Sequence, residues 1–202
     1  MATRIRLRAN DLRKRPRQAR SEAMVSAILE AAARILETQG LDALTTNAVA
    51  DRAGVSVGSL YQYFPGRSAI LAELTRRERA LLKARIDALA GALQRATLEV
   101  AIRALVDAAV SHQLDRPALA RALDFIEPSL ALSADTAKLA GDIVQTVEEL
   151  LRDHDILRPA EAARDLVALG KGMIDAAGLA GESNARALAV RVSRTMLGYL
   201  TN

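Results

Sequence analysis

The amino-acid sequence predicts an all-α protein, and two observations carry that expectation. Half of its 202 residues are apolar, with Ala and Leu dominant and Pro and Gly sparse, the composition of packed helices rather than of strands. Apolar positions also recur every three or four residues along most of the chain, which is helical periodicity. The length suffices for one sizeable core, or for a small domain attached to a larger one. There is no Cys, which excludes a disulfide framework and every thiolate nucleophile or metal ligand, and only two His remain for such roles. No apolar run approaches the roughly 18 residues of a membrane span. The opening "MATRIRLRAN" is basic but has no apolar signal-peptide core, so a soluble cytoplasmic protein without a membrane partner is expected.

Residues 1–20 hold eight Lys and Arg against Asp11 alone, a net +7 within a total of +4, so the rest of the chain carries a net −3. This basic arm suits a polyanion such as DNA phosphates or an anionic surface, and it equally suits a solvated tail. From Ser21, Val25, Ile28, Ala32, Ile35 and Leu36 mark a first helix that Gly40 stops. Thr45 and Thr46 offer caps for a short helix "NAVADRA", ended by Gly54. Ser56 caps a second short helix, "VGSLYQYF", stopped by Pro65-Gly66. Two helices of about two turns joined by a tight Gly turn make a helix-turn-helix unit.

A long helix is expected from Arg67, with Ile70, Leu74, Leu81, Leu82, Ile86, Leu89 and Leu93 as its apolar stripe. Further helices follow near 97–113, 117–126, 133–153, 160–180 and 184–200, punctuated by Pro117, Pro128 and Pro159. The expected organisation is an arm at 1–20, a helix-turn-helix domain at 21–66 and a helical regulatory and dimerisation domain at 67–202.

Three of the chain's five aromatic rings crowd into "SLYQYF". On a helical wheel of about 100° per residue with Leu60 at zero, Phe64 lies at about 40° and shares Leu60's face. Gly58 falls at about 160°, Gln62 at about 200° and Ser59 at about 260°. Tyr61, at about 100°, and Tyr63, at about 300°, stand on either side of them. The expectation is that Phe64 packs in the core while the two phenols bracket a small polar face. A helix in a major groove would use such a face on base edges and the phenols on phosphates. Gly58 adds to this, because Gly inside a helix costs about 0.5–1 kcal/mol relative to Ala and marks a place where another backbone approaches.

"LTTNAVADRAGVSVGSLYQYFPGRSAIL", Leu44–Leu71, resembles the DNA-binding domain of the tetracycline-repressor (TetR) family of bacterial transcriptional regulators. The resemblance implies phosphate contacts from Thr46, Ser56, Tyr61, Tyr63 and Arg67, and a base-facing set of Asn47, Val57, Gly58, Ser59 and Gln62. Arg67 stands where the family usually has Lys, and Val57 where many members have a polar residue, leaving an apolar contact such as a thymine methyl.

The resemblance also implies a C-terminal domain that dimerises and binds a small-molecule effector. Small residues in "LVALGKGMIDAAGLAG" permit close helix approach, and "ALAVRVSRTMLGYL" carries an apolar stripe. A symmetric four-helix interface is therefore expected to use Gly170, Met173, Ala177, Leu188, Val192, Met196 and Tyr199, against the alternative that these helices only complete the subunit core. Phe125 is the sole ring between residues 65 and 198, which favours an aliphatic pocket over one of stacked rings. Arg103, Asp107, His112, Asp124, Phe125 and Glu127 are its candidate polar and aromatic lining, each equally readable as a surface or capping residue. His154 lies in "RDHD", where adjacent helical positions do not share a face, so no metal site and no cofactor are expected. The function expected is that of a homodimeric repressor on a palindromic operator, released by a small ligand. The alternatives are a constitutive DNA-binding dimer and an all-α enzyme, for which no nucleophile, carboxylate pair or phosphate loop is present.

Overall fold

The computed structural model describes residues 19–93, 95–130 and 134–201; the arm up to residue 18 lies outside them. The described residues form nine α-helices and one 3-10 turn, with no strand among them. The helices are α1 (Ala19–Gln39), α2 (Thr46–Ala53), α3 (Val57–Tyr63), α4 (Arg67–Ala92), α5 (Leu98–Asp115), α6 (Pro117–Ile126), α7 (Ala134–Asp153), α8 (Pro159–Leu179) and α9 (Ala185–Thr201), with the 3-10 turn at Glu127–Ser129. The all-α class is as the composition predicts.

The chain divides into two units. One comprises the chain up to Arg77 with residues 122–137, the other Glu78–Arg121 with the chain from Lys138 onward. In the first, α1 packs on α2 and α2 on α3. Its interior is built from Ile28, Ile35, Leu44, Val49, Leu60, Phe64 and Ile70, each no more than 1% exposed. Local chemistry sets the ends of the short helices. Thr45, not Thr46, is the N-cap of α2, its hydroxyl accepting from the Ala48 amide at 3.1 Å. Gly54 ends α2 with φ 67°, a left-handed conformation that a Cβ would strain. Ser56 then caps α3, accepting from the Ser59 amide at 3.0 Å.

In the second unit α5 packs on both α8 and α9, and α8 packs on α9. Its core is aliphatic, centred on Ala101, Val110, Leu151, Ala163, Leu166, Leu188 and Val192. Gly170 is buried there, and a Cβ on it would come within 2.4 Å of the Met196 Cε, the flexible end of a side chain from α9 of the same chain. Gly178 is likewise crowded by the buried Gln113, whose amide nitrogen lies 3.1 Å from where a Cβ would be.

Candidate nucleic-acid interface

α2 and α3 meet through a turn of Gly54, Val55 and Ser56, and burial of Leu60 and Phe64 at 0% exposure fixes which side of α3 faces outward. Val57, Gly58, Tyr61 and Gln62 lie exposed on α3, and Asn47 is exposed on α2. Ser59 is half-buried, and its hydroxyl lies 2.8 Å from that of Ser56, so the pair is closed on itself at the helix start. A Cβ on Gly58 would meet nothing closer than the Ser56 hydroxyl at 3.9 Å. Gly58 is the second residue of α3, in its first turn, and no crowding within the chain requires a Gly there.

Among the predicted phosphate contacts, Thr46 and Tyr61 are brought together, their hydroxyls 3.2 Å apart across the mouth of the helix pair. Arg67 is anchored: one guanidinium nitrogen donates to the Leu41 carbonyl at 2.7 Å and ties the start of α4 to the α1–α2 connection. Tyr63 corrects the expectation that only Phe64 serves packing. It is 6% exposed, and its hydroxyl donates to the Ser21 hydroxyl at 3.2 Å, joining α3 to α1. The wheel position contained the reason, since Tyr63 is only about 60° from Leu60 and lies within the apolar half of the helix. Its phenol finds on α1 the partner that α3 alone does not offer.

The candidates for an effector pocket are not assembled within one unit. Arg103 is exposed on α5 and paired with Glu99 at 2.8 Å, and Asp107 is exposed on the same helix. Phe125 is 75% exposed, while Asp124 and Glu127 are half-buried. His112 lies in the last turn of α5, half-buried, with Nε2 3.9 Å from the Glu78 carboxylate of α4. That separation is too long for a hydrogen bond. Burial therefore dominates and lowers the His112 pKa from its usual 6.5, helped by the Arg85 cation and opposed by Asp115. The unfolded chain takes up this proton at higher pH than the folded one, so His112 leaves stability intact above pH 6.5 and removes it as pH falls through the lowered value. Thermal denaturation across about pH 5–8 is expected to show a fall in melting temperature on the acid side that His112→Gln reduces.

The expected dimer stripe needs a further correction. Leu188 and Val192 are 0% exposed within a single chain, where they form the subunit core, and Gly170 is filled by Met196. Met173, Ala177 and Met196 are half-buried against the same core. Tyr199 remains 40% exposed, with its hydroxyl donating to the Asp165 carboxylate of α8, which raises the phenol's pKa. Exposed on α8 are the small and apolar Ala168, Gly172, Ala176 and Leu179, the last 60% exposed, together with Glu161, Arg164, Asp165 and Lys171, and Val190 on α9 is 48% exposed. The small residues of this stretch were expected to allow close helix approach, but Gly172 and Ala176 lie on the side of α8 opposite Ala163, Leu166, Gly170 and Ile174.

No helix among the described residues is long and apolar enough to cross a membrane, and no group of three or more His, Cys, Asp or Glu among them could hold a metal ion. A capped helix pair with an outward reading face, joined through α4 to a separate helical unit, defines the class of helix-turn-helix regulators. Comparison with known proteins places it more narrowly. Residues 28–74 match the model of bacterial regulatory proteins of the tetR family, and residues 97–200 match the tetracyclin repressor-like C-terminal domain. The chain belongs to the tetR family. It is 36% identical over 110 residues to the transcriptional repressor KstR of Mycobacterium tuberculosis, covering 54% of this chain and 50% of that protein. It thus spans about half the length of the curated relatives it matches. The fold is shared with a TetR-family regulator from Mesorhizobium loti (TM-score 0.71, 15% identity, 91% of this chain and 98% of that one). It is shared also with FadR from Bacillus subtilis, solved with stearoyl-CoA (TM-score 0.70, 15% identity, 85% and 96%).

Proposed function

We propose that the protein is a homodimeric transcriptional repressor that binds a two-fold symmetric operator and is released by a small aliphatic ligand. The observation that carries this reading is the outward face of α3: a Gly without an internal reason, an exposed Gln62 and a Tyr61 hydroxyl beside that of Thr46. Base contacts fall to Asn47, Val57, Gly58 and Gln62, with Ser59 at the margin of that face. Phosphate contacts fall to Thr46 and Tyr61 at the groove wall, with Ser56, Tyr63 and Arg67 holding the helices in place beside it. Phosphate contacts bind all DNA alike and base contacts discriminate. Tyr61→Phe is therefore expected to weaken specific and random duplexes in parallel, whereas Gln62→Ala alters preference at particular base pairs, as read by fluorescence anisotropy on a panel of operator variants. Equal loss on every duplex for Gln62→Ala would remove its assigned role.

Dimerisation is assigned to the outward face of α8, where Ala168, Gly172 and Ala176 allow close approach and Leu179 is an apolar side chain without cover in the subunit. A symmetric dimer supplies the two recognition helices that half-sites about 34–36 Å apart require. Light scattering is expected to give twice the chain mass of 21.6 kDa, and Ala176→Arg, which adds a charge to an exposed helical position, is expected to return it to one chain with unchanged helicity. Two chains per particle in Ala176→Arg would move the interface elsewhere.

The effector is assigned to the second unit, whose core is aliphatic and whose one Tyr, Tyr199, stands 40% exposed, which favours a long apolar ligand over a flat aromatic one. The fold shared with FadR, solved with stearoyl-CoA, supports an acyl-type compound. Binding of such a ligand favours a state with lower operator affinity, since a ligand shifts an equilibrium only by its differential affinity for the two states. The test is thermal denaturation and operator titration with stearoyl-CoA and shorter acyl-CoAs. A raised melting temperature together with operator release supports the reading, and a raised melting temperature with DNA affinity unchanged contradicts it.

A further inference from the structure

In the first turn of α3 the one hydrogen-bonding side chain, Ser59, is engaged with the N-cap Ser56. The first residue, Val57, is 37% exposed, and Gly58 has no side chain. The third, Ser59, is half-buried with its hydroxyl closed on that of Ser56 at 2.8 Å. Amide side chains for base recognition come only later, at Gln62, and from α2, at Asn47. Val57 is covered only in part, keeping 37% of its surface exposed, whereas Leu60 and Phe64 fill the core at 0% exposure. Helix propensity does not favour it, because a β-branched residue is stiffer in a helix than Ala or a straight-chain polar residue.

In the major groove, base pairs display acceptors, donors and a single apolar feature, the C5 methyl of thymine. Valine methyls laid over a ring nitrogen, a carbonyl oxygen or an amino group would desolvate it without return. Laid over a thymine methyl they bury apolar surface on both sides. Resting on the operator-binding reading above, we propose that Val57 is a specificity determinant that recognises one thymine in each half-site through its methyl group. The first turn of α3 thus reads shape and apolar surface, while hydrogen-bonded readout is confined to Gln62 and Asn47.

Uracil differs from thymine only by that methyl, so it isolates the contact without changing base pairing. The experiment takes the operator selected by the full chain from random DNA. It replaces each thymine of both half-sites in turn with uracil and measures affinity for the wild type and for Val57→Ala. One thymine per half-site is expected to be sensitive, its replacement weakening the wild type by about fourfold per half-site, the worth of one methyl's burial. Val57→Ala is expected to bind the thymine and uracil operators equally while keeping wild-type helicity, Ala being a good helix former. Insensitivity of the wild type at every thymine overturns the inference, as does the same loss in Val57→Ala. Failure of the wild-type chain to enrich any sequence overturns the operator-binding reading itself, and that outcome appears at the selection step, before uracil is introduced.

Discussion

Phe64→Ala is expected to destabilise the helix-turn-helix unit by about 3–5 kcal/mol, the range found when a fully buried ring is removed from a close-packed interior. Phe64 is 0% exposed and closes the end of α3, its amide donating to the Leu60 carbonyl at 2.9 Å. With stabilities of small domains at about 5–15 kcal/mol, a loss of this size takes a large share of the total. Urea unfolding followed by circular dichroism is expected to show an early transition for the helices of the first unit, and DNA binding is lost because α3 is no longer held. Retention of both wild-type stability and DNA binding would show that Phe64 is not the keystone its burial implies.

Gly58→Ala is expected to move stability and DNA binding in opposite directions. Nothing inside the chain lies closer than 3.9 Å to the added methyl, and Gly58 has no left-handed backbone to protect. Gly to Ala at this unstrained first-turn position should therefore stabilise the fold by about 0.4–1 kcal/mol. On DNA the same methyl stands where a base edge or sugar approaches, and overpacking a close contact costs about 1–3 kcal/mol, roughly 5- to 150-fold in affinity for each half-site. A variant that melts higher and binds more weakly separates function from stability at one atom. Melting temperature and anisotropy titration on the same preparation measure both, and unchanged affinity would remove Gly58 from the interface.

Much of the first unit was legible in the sequence because its determinants are local. The capping hydroxyls of Thr45 and Ser56, the left-handed Gly54 and the i, i+4 pair Leu60 and Phe64 all act within one or two turns, and spacing alone locates them. Tyr63 was misjudged because its partner, Ser21, lies 42 residues away on another helix, which no local wheel includes. The C-terminal unit was less legible for a related reason. An apolar stripe such as Leu188, Val192 and Met196 says that a helix face is covered, but not whether the cover comes from the same chain or another, and here α9 packs on α5 and α8 of its own subunit. Phe125 shows the same limit: the sequence left it open as pocket lining or surface residue, and it stands 75% exposed.

The central claim is that two copies of α3 read a symmetric DNA sequence. Selection of bound duplexes from a random-sequence pool by the purified full-length chain tests it most directly, because the symmetry and spacing of what is enriched report both dimerisation and base recognition. The account predicts an inverted repeat whose half-sites are centred about one helical turn, roughly 10–10.5 base pairs, or a multiple of it, apart. Enrichment of a single asymmetric site, or of none, would contradict it.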